Sequence, residues 1–215
     1  MTETHPDAVQ LTAVLGSVTP PGRLRRAVAE ALHRLAPRDG VAPRDGVAAR
    51  DGVAPRDGVA AELIDLGERR IAFADGRPPD ALGDDTAAVI AALQRADAVV
   101  LATPVYRGSF TGALKNLLDH VPVAALRDTP TGIVAMGGSD HHYLGVERHL
   151  RDVLAFFGAL TLPNAVYLNS RDFTEGAPGE RAAGELDALL GSAVALAGAV
   201  RGLPPLGPPP LGARF

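Results

Sequence analysis

A turn of small, polar and basic residues follows the first apolar segment of the chain, and its residue types suit the binding of an anion. The turn is Gly16-Ser-Val-Thr-Pro-Pro-Gly-Arg23 and leads into residues at helical spacing. Free backbone N–H groups and the positive end of a helix attract negative charge there, and Ser17, Thr19 and Arg23 can add side-chain donors. An ordinary strand-to-helix turn capped by Ser or Thr has the same spacing, so spacing alone leaves both interpretations open.

A second polar turn, Thr103-Pro-Val-Tyr-Arg-Gly-Ser-Phe-Thr111, follows the apolar run at 98–102. Continuous apolar runs are typical of parallel strands that are covered on both faces. Thr111 is placed to cap a helix at 111–121. Ligands bind at the carboxyl ends of strands in open α/β sheets, so we expect this loop to line a ligand site.

A third turn, Gly137-Gly138-Ser139, follows the apolar segment 131–135. Two glycines let the backbone approach a planar ligand closely, and their N–H groups can stabilise negative charge. A plain loop that needs positive φ would explain the same glycines. Residues 140–142 (Asp-His-His) could be read as metal ligands, but the side chains of adjacent residues rarely all point at one ion. A second cluster of ligands is not evident, so we predict no metal site.

Residues 103–119 resemble the flavin-binding motif of the NADPH-dependent FMN reductases, which have a flavodoxin-like fold. The motif in this chain is Thr-Pro-Val-Tyr-Arg-Gly-Ser-Phe-Thr-Gly-Ala-Leu-Lys-Asn-Leu-Leu-Asp. The similarity covers most of residues 9–173 and includes the turns at 15–23 and 135–139. The subgroup that it resembles is the reductase component of two-component alkanesulfonate monooxygenase systems.

The resemblance implies that the first turn holds the phosphate of FMN through Ser17, Thr19 and Arg23. The family usually has a serine where this chain has Gly22, and a hydroxyl residue where it has Arg25. One phosphate donor is therefore expected to be missing here, with the positive charge of Arg25 as the expected compensation.

The resemblance also implies which residues surround the flavin ring. Backbone amides of 104–107 are expected at the edge of the isoalloxazine, and the third turn near its N1–O2 region. NADPH or NADH would pass hydride to flavin N5, so no catalytic side chain is expected. Tyr106 is expected near the flavin ring, and closure of the loop is an alternative role for it. Lys115 is expected to have a structural role, in an ion pair with Asp119. The full expected ring-binding set is Thr103, Pro104, Val105, Tyr106, Gly137, Gly138 and Ser139.

The resulting hypothesis is an enzyme that reduces FMN with NADPH or NADH and supplies a partner monooxygenase. One alternative is a reductase of the same fold that keeps its flavin and reduces quinones, azo dyes or metal ions. Others are a non-enzymatic electron carrier of the flavodoxin type and a scaffold that no longer binds flavin.

Apolar segments that alternate with helical patterns predict a doubly wound, five-stranded parallel sheet in three α/β/α layers, in the flavodoxin-like order. The expected strands are 9–16, 61–66, 98–102, 131–135 and 164–168. The expected helices are 23–35, 84–95, 111–121, 143–158 and 179–200. Residues 1–202 are predicted to form one domain, and 203–215 a Pro-rich tail that is disordered or lies along a partner subunit.

A hexapeptide, Pro-Arg-Asp-Gly-Val-Ala, occurs at 37–42 and recurs three times up to residue 60, with Ala replacing Pro in the third copy. Four hexads are too few to stack into a β-helix with a continuous core. We therefore predict a loop insertion at 37–60 without a chemical role.

Deleting residues 43–54 is expected to leave FMN affinity and reduction rate near wild type, since loop length changes cost about 0.6 kcal/mol per doubling. Flavin titration and steady-state assays check this; lost activity in a folded variant would contradict it.

Composition narrows the classes of protein that remain. A net charge of −4 argues against a nucleic-acid surface, and the absence of cysteine excludes disulfides and thiolate chemistry. Apolar runs of membrane-spanning length and a signal-peptide pattern are not evident, so we predict a cytoplasmic protein without membrane contact.

The predicted helix at 143–157 carries apolar residues on more than one face, which favours burial on two sides. In the resembling family this helix packs subunits together, so we expect a homodimer or homotetramer. Some members carry an aromatic residue on a π-helical insertion, where this chain has Arg148 or His149.

Overall fold

A computed structural model describes residues 8–20, 22–36, 58–140 and 143–209. Its main sheet is parallel, and its first four strands run in the spatial order β2-β1-β3-β4. Two short strands, β5 and β6, both pair with β4 and share the fifth position. The strands are β1 (Val9–Leu15), β2 (Val59–Asp65), β3 (Ala98–Pro104), β4 (Pro130–Met136), β5 (Leu160–Thr161) and β6 (Val166–Leu168).

Helices cover both faces of this sheet. One buried cluster joins the sheet to α1 and α5, and a second joins its other face to α2, α3 and α4. The predicted three-layer, flavodoxin-like arrangement is therefore confirmed. The helices are α1 (Arg23–Leu35), α2 (Thr86–Arg95), α3 (Gly112–His120), α4 (Tyr143–Phe157) and α5 (Glu180–Val200).

Strand β3 lies at the centre of the sheet and is buried on both sides. Val100 and Ala102 face the α1–α5 layer, whereas Val99 and Leu101 face the α2–α4 layer. Successive side chains of a strand point to opposite faces, so a strand between two helical layers must be apolar throughout. This explains the continuous apolar run that predicted the strand.

The boundary between the repeat and β2 differs from the prediction. Strand β2 begins at Val59, inside the last hexad, and Val59 pairs with Val9 of β1. Gly58 has a φ of 82° and its carbonyl accepts a bond from Val9 N, so the chain turns into the sheet there. The repeat therefore contributes its last residues to the sheet, and residues 37–57 lie outside the described part.

The fifth position of the sheet also differs from the prediction of one strand at 164–168. The segment between β5 and β6 contains Pro163, which has no N–H to donate to a ladder. A further hairpin, β7 (Phe173–Thr174) with β8 (Ala177–Pro178), was not predicted. Glu175 and Gly176 connect its strands with φ values of 51° and 77°, as in a type I′ turn.

Helix α4 buries one apolar face within the chain, whereas its composition favoured burial on two sides. Val146, Leu150, Leu154 and Phe157 form one buried face, as expected for an amphipathic helix. Among residues 145–157, the large apolar side chain that is exposed is Phe156, at 51%. Within one chain, the second apolar face of the described residues consists of the exposed Phe156 and the partly buried Val153, and its burial against another subunit stays a prediction.

Helix α5 is long and apolar enough to cross a membrane by length and composition, contrary to the expectation from the sequence. In the structure, Ala182, Leu186, Leu190 and Val194 bury one side of it in the cluster that contains α1. Core helices also pass such a test, so the helix is weak evidence for a membrane span.

The described part of the tail, residues 203–209, is exposed and lies beside the loop that precedes β4. Arg127 donates from Nη2 to the carbonyl of Gly207 at 3.2 Å, and Leu206 N donates to Asp128 Oδ2 at 3.2 Å. This part of the predicted tail therefore contacts its own domain.

Candidate functional site

Three loops meet at the carboxyl edge of the sheet because each begins with a ladder-like backbone bond. Gly16 N donates to the carbonyl of Ala102 at 2.7 Å, and Val105 N donates to that of Met136 at 2.8 Å. Gly137 N donates to the carbonyl of Leu168 at 2.9 Å. The loops after β1, β3 and β4 are therefore held side by side, at the edge where open α/β sheets bind ligands.

The first loop forms a cavity of about 250 Å³ at the start of α1. The N-cap of α1 is Gly22, which has no side chain to cap the first amides of the helix. An anion in the cavity could accept from these amides, and helix N-termini favour negative charge. The cavity is lined by Leu15, Ser17, Thr19, Pro20, Gly22, Arg23, Leu24, Arg25, Pro104 and Met136.

The structure brings the predicted phosphate-binding side chains together at this cavity. The hydroxyls of Ser17 and Thr19 lie 2.8 Å apart and share one hydrogen bond. The guanidinium of Arg23 is exposed and its Cζ lies 5.4 Å from the centre of the Phe173 ring. The hydroxyls of Ser17 and Thr19, the guanidinium of Arg23 and a helix N-terminus thus surround one small concave surface.

Arg25 lines the same cavity but also pairs with acidic side chains. Its Nε donates to Asp65 Oδ2 at 2.9 Å, and its Nη2 donates to Glu68 Oε1 at 3.3 Å. Asp65 is only 6% exposed, so this pair is partly shielded from water. Two carboxylates offset the positive charge of Arg25, which weakens the expectation that it compensates for the serine replaced by Gly22.

The second loop is a tight hairpin at 106–109. Tyr106 N donates to the carbonyl of Ser109 at 2.9 Å, and Ser109 N donates back at 3.1 Å. Arg107 and Gly108 have φ values of 52° and 77°, as a type I′ turn requires. The ring of Tyr106 is 48% exposed at this edge of the sheet.

The expectation that amides of 104–107 serve the flavin edge needs correction. Pro104 has no N–H, and the amides of Val105 and Tyr106 already donate within the protein. Of these four residues, Arg107 at the tip of the hairpin has the backbone amide that best fits a donor to the flavin edge.

Two threonines hold the second loop in place, and one of them, Thr111, fastens it to the first. Thr103 is fully buried, and its hydroxyl accepts from Thr111 N at 3.2 Å and donates to the carbonyl of Pro104 at 3.0 Å. Thr111 accepts from Leu114 N, which confirms it as the N-cap of α3, and donates to the carbonyl of Gly16. The Thr103 hydroxyl is therefore used inside the protein rather than presented to a ligand.

Helix α4 packs directly on the hairpin of the second loop. A Cβ at Gly145 would lie 2.6 Å from the carbonyl oxygen of Gly108, so only glycine allows this approach. His149 Nδ1 lies 3.0 Å from Ser109 Oγ, within hydrogen-bonding distance. In α3, Lys115 pairs with Asp119 as predicted, and both side chains are about half exposed.

The third loop depends on Tyr167, which sequence reasoning missed. The Tyr167 hydroxyl donates to the carbonyl of Ser139 at 2.6 Å, and a Cβ at Gly137 would lie 1.9 Å from that hydroxyl. Burial raises the pKa of Tyr167, and the negative charge of Asp140 raises it further, so the donor stays protonated. Neither Gly137 nor Gly138 has a positive φ, so contact with Tyr167 explains Gly137, while Gly138 faces open space.

Further polar side chains after β6 hold the same turn. Asn169 donates from Nδ2 to Asp140 Oδ1, and Arg171 donates from Nη1 to Asp140 Oδ2 at 3.0 Å. Polar residues that directly follow a buried strand were the signal that located the other loops, and Asn169 carries the same signal after β6. His141 and His142, considered with Asp140 as metal ligands, lie outside the described residues.

A comparison with models of known protein families identifies the family. A family model for NADPH-dependent FMN reductases matches residues 9–173. An NAD(P)H-dependent FAD/FMN reductase of Geobacillus thermodenitrificans is 41% identical over 114 residues, which cover 53% of this chain and 62% of that protein. The NADH-dependent FMN reductase SfnF of Pseudomonas fluorescens is 38% identical over 115 residues, which cover 54% of this chain and 62% of that protein.

An oxidoreductase of Corynebacterium diphtheriae has the same fold, with a TM-score of 0.64, 22% identity and coverage of 88% of this chain and 97% of that one. The sequence matches to the two reductases span about three fifths of their length. Since the family model covers most of the chain, including all three loops, the chain belongs to the NADPH-dependent FMN reductase family.

Proposed function

We propose that this protein is an NAD(P)H-dependent FMN reductase. The observation that carries the proposal is the 250 Å³ cavity at the N-terminus of α1, where Ser17, Thr19 and Arg23 converge beside the loop after β3. Charge-assisted hydrogen bonds from a guanidinium and from helix amides are the strong contacts that proteins make to phosphate. FMN, when bound, would accept the hydride that NADPH or NADH donates.

The chain's own residues bind and orient in this account. Arg23 and the two hydroxyls hold the phosphate, while the exposed Tyr106 ring and the Gly137–Ser139 turn border the flavin ring. Gly138 and Ser139 stand at the open side of that turn. The buried hydroxyls of Thr103 and Thr111 and the hydroxyl of Tyr167 keep the loops in place.

Anaerobic oxidation of NADPH and of NADH, with and without added FMN, tests this proposal. Turnover that requires free FMN supports a reductase that releases reduced flavin. Turnover of a quinone by protein that retains its flavin supports the alternative reductase of the same fold. Flavin that exchanges single electrons but is not reduced by either nucleotide supports a flavodoxin-type carrier, and no flavin binding at all overturns both enzyme proposals.

We further propose that the protein acts in the cytoplasm and passes reduced flavin to a monooxygenase. One bacterial relative is NAD(P)H-dependent and the other NADH-dependent, which supports nucleotide-dependent flavin reduction by either nucleotide. In an aerobic mixture of this protein, a flavin-dependent monooxygenase and the substrate of that monooxygenase, oxygenated product should form only when both nucleotide and FMN are present.

Self-association through α3 and α4 is also proposed. A groove of about 470 Å³ lies between these helices, with apolar Leu118, Val121, Val153 and Phe156 beside the charged Lys115, Asp119 and Asp152. A second copy of the chain would cover the half-exposed ring of Phe156, and symmetric pairs are the commonest oligomers. Apolar and charged groups of both signs within one groove suit such a self-complementary contact.

Sedimentation at micromolar concentration is expected to show at least a dimer. Phe156→Glu should shift it toward monomer, because a carboxylate would be buried without a partner. Leu203→Glu is the matched control, since Leu203 is 54% exposed, much like Phe156, and lies after α5 and outside the groove. A wild-type protein that is monomeric and still reduces FMN would contradict this part of the proposal.

A further inference from the structure

We propose that Phe173 is a positioning residue for Arg23 and so helps to set the affinity for the phosphate of FMN, which rests on the proposed function. The Arg23 guanidinium carbon lies 5.4 Å from the centre of the Phe173 ring. Arg23 also lines the cavity at the start of α1. One side chain therefore contacts both the candidate phosphate site and an aromatic ring from a distant part of the chain.

The ring of Phe173 belongs to a supported platform. Phe173 begins the β7–β8 hairpin and packs against the cluster under α1 and α5. Arg26, one turn after Arg23 on the same side of α1, donates from Nη1 to the carbonyl of Glu175 at the hairpin tip, at 3.2 Å. Arg26 is itself held by Glu30, at 2.8 Å. The hairpin is therefore attached to the helix that carries Arg23.

A guanidinium that lies over an aromatic ring keeps N–H groups available for a ligand. Arginine binds phosphate through N–H groups in the plane of the guanidinium, while its face can rest on an aromatic ring. An exposed arginine otherwise loses rotamer freedom when it binds, and this loss weakens affinity. Contact with Phe173 restricts Arg23 before the ligand arrives, so less freedom is lost on binding.

A structural role for Phe173 makes a different prediction from a positioning role. If the ring only filled space under α1, its loss would affect all flavins and protein stability alike. If it orients Arg23, its loss should affect only ligands that carry the phosphate. Riboflavin has the same ring system as FMN and lacks the phosphate, so it separates these two roles.

The test measures FMN and riboflavin affinities of Phe173→Leu and Phe173→Met, with Phe173→Tyr as the matched variant that keeps a ring. We expect the two non-aromatic variants to bind FMN about two- to fivefold more weakly, the range for an exposed cation–π contact. Riboflavin affinity should be unchanged, and Phe173→Tyr should bind FMN like wild type. In an Arg23→Ala background, Phe173→Leu should have no further effect on FMN.

Equal weakening of FMN and riboflavin, or a full effect of Phe173→Leu in the Arg23→Ala background, would overturn the positioning role. An unchanged FMN affinity in both non-aromatic variants would also overturn it, while a weaker Arg23→Ala variant would leave the proposed phosphate site standing. If Arg23→Ala itself binds FMN like wild type, the proposed phosphate site fails.

Discussion

Replacing Arg23 with alanine is expected to weaken FMN binding by about 1.5–3 kcal/mol, the range for hydrogen bonds to charged groups. The physical reason is that Arg23 supplies a full positive charge at a cavity whose other donors are two hydroxyls and helix amides. Arg25, the second guanidinium at the cavity, has its charge offset by Asp65 and Glu68 and should compensate poorly. Fluorescence or calorimetric titration with FMN measures the effect.

Riboflavin and a second arginine provide the controls for this prediction. Riboflavin affinity should change little in Arg23→Ala, because the lost contact is to the phosphate. Arg95→Ala removes an exposed guanidinium at the end of α2, directly before β3 begins at the opposite edge of the sheet, and should leave FMN affinity unchanged. Equal losses for FMN and riboflavin would contradict the assignment of Arg23 to the phosphate.

Gly137→Ala is expected to lower the free energy of unfolding by about 1–3 kcal/mol, the usual cost of overpacking. The new Cβ would lie 1.9 Å from the Tyr167 hydroxyl, so the ring or the turn must move. Gly138→Ala is the matched control, because a Cβ at Gly138 would have no atom of another described residue within 4 Å apart from its chain neighbours. Exposed substitutions of this kind usually change stability by less than about 0.5 kcal/mol. Urea unfolding of each variant measures these effects.

Removal of the Tyr167 hydroxyl should partly rescue Gly137→Ala. Tyr167→Phe alone is expected to cost about 0.5–1.5 kcal/mol, through the lost hydrogen bond to Ser139. In the Gly137→Ala background the same change also removes the 1.9 Å contact and leaves the ring carbon Cζ at 3.0 Å from the new Cβ, so the two costs should not add. Strictly additive effects would show that Tyr167 does not account for the glycine.

The fold was predictable because its signals are local. The apolar run in β3 and the helical spacing in α1 reflect burial that each element undergoes on its own, and both elements occur where expected. The start of β2 was not predictable in this way. Val59 belongs to a repeated hexapeptide, so its hexad sequence does not mark it as the start of a strand. Its partner in the sheet is Val9, fifty residues away in the chain.

In the candidate site, too, residues close in sequence were predictable and contacts between distant residues were not. Ser17, Thr19 and Arg23 lie within one turn, so their convergence followed from the sequence, as did the cap at Thr111. The pairing of Arg25 with Asp65 joins residues forty positions apart, and Tyr167 fills the space beside Gly137 from another strand. Such contacts depend on the sheet order and leave no periodic pattern in the chain, so the sequence alone could not reveal them.

A crystal structure of the protein with FMN bound would test the central claim most directly. We predict that the FMN phosphate lies in the cavity at the start of α1, with Arg23, Ser17 and Thr19 within hydrogen-bonding distance of its oxygens. We also predict that the flavin ring lies between the Tyr106 hairpin and the Gly137–Ser139 turn. FMN bound at another surface, with this cavity free of phosphate, would contradict the account.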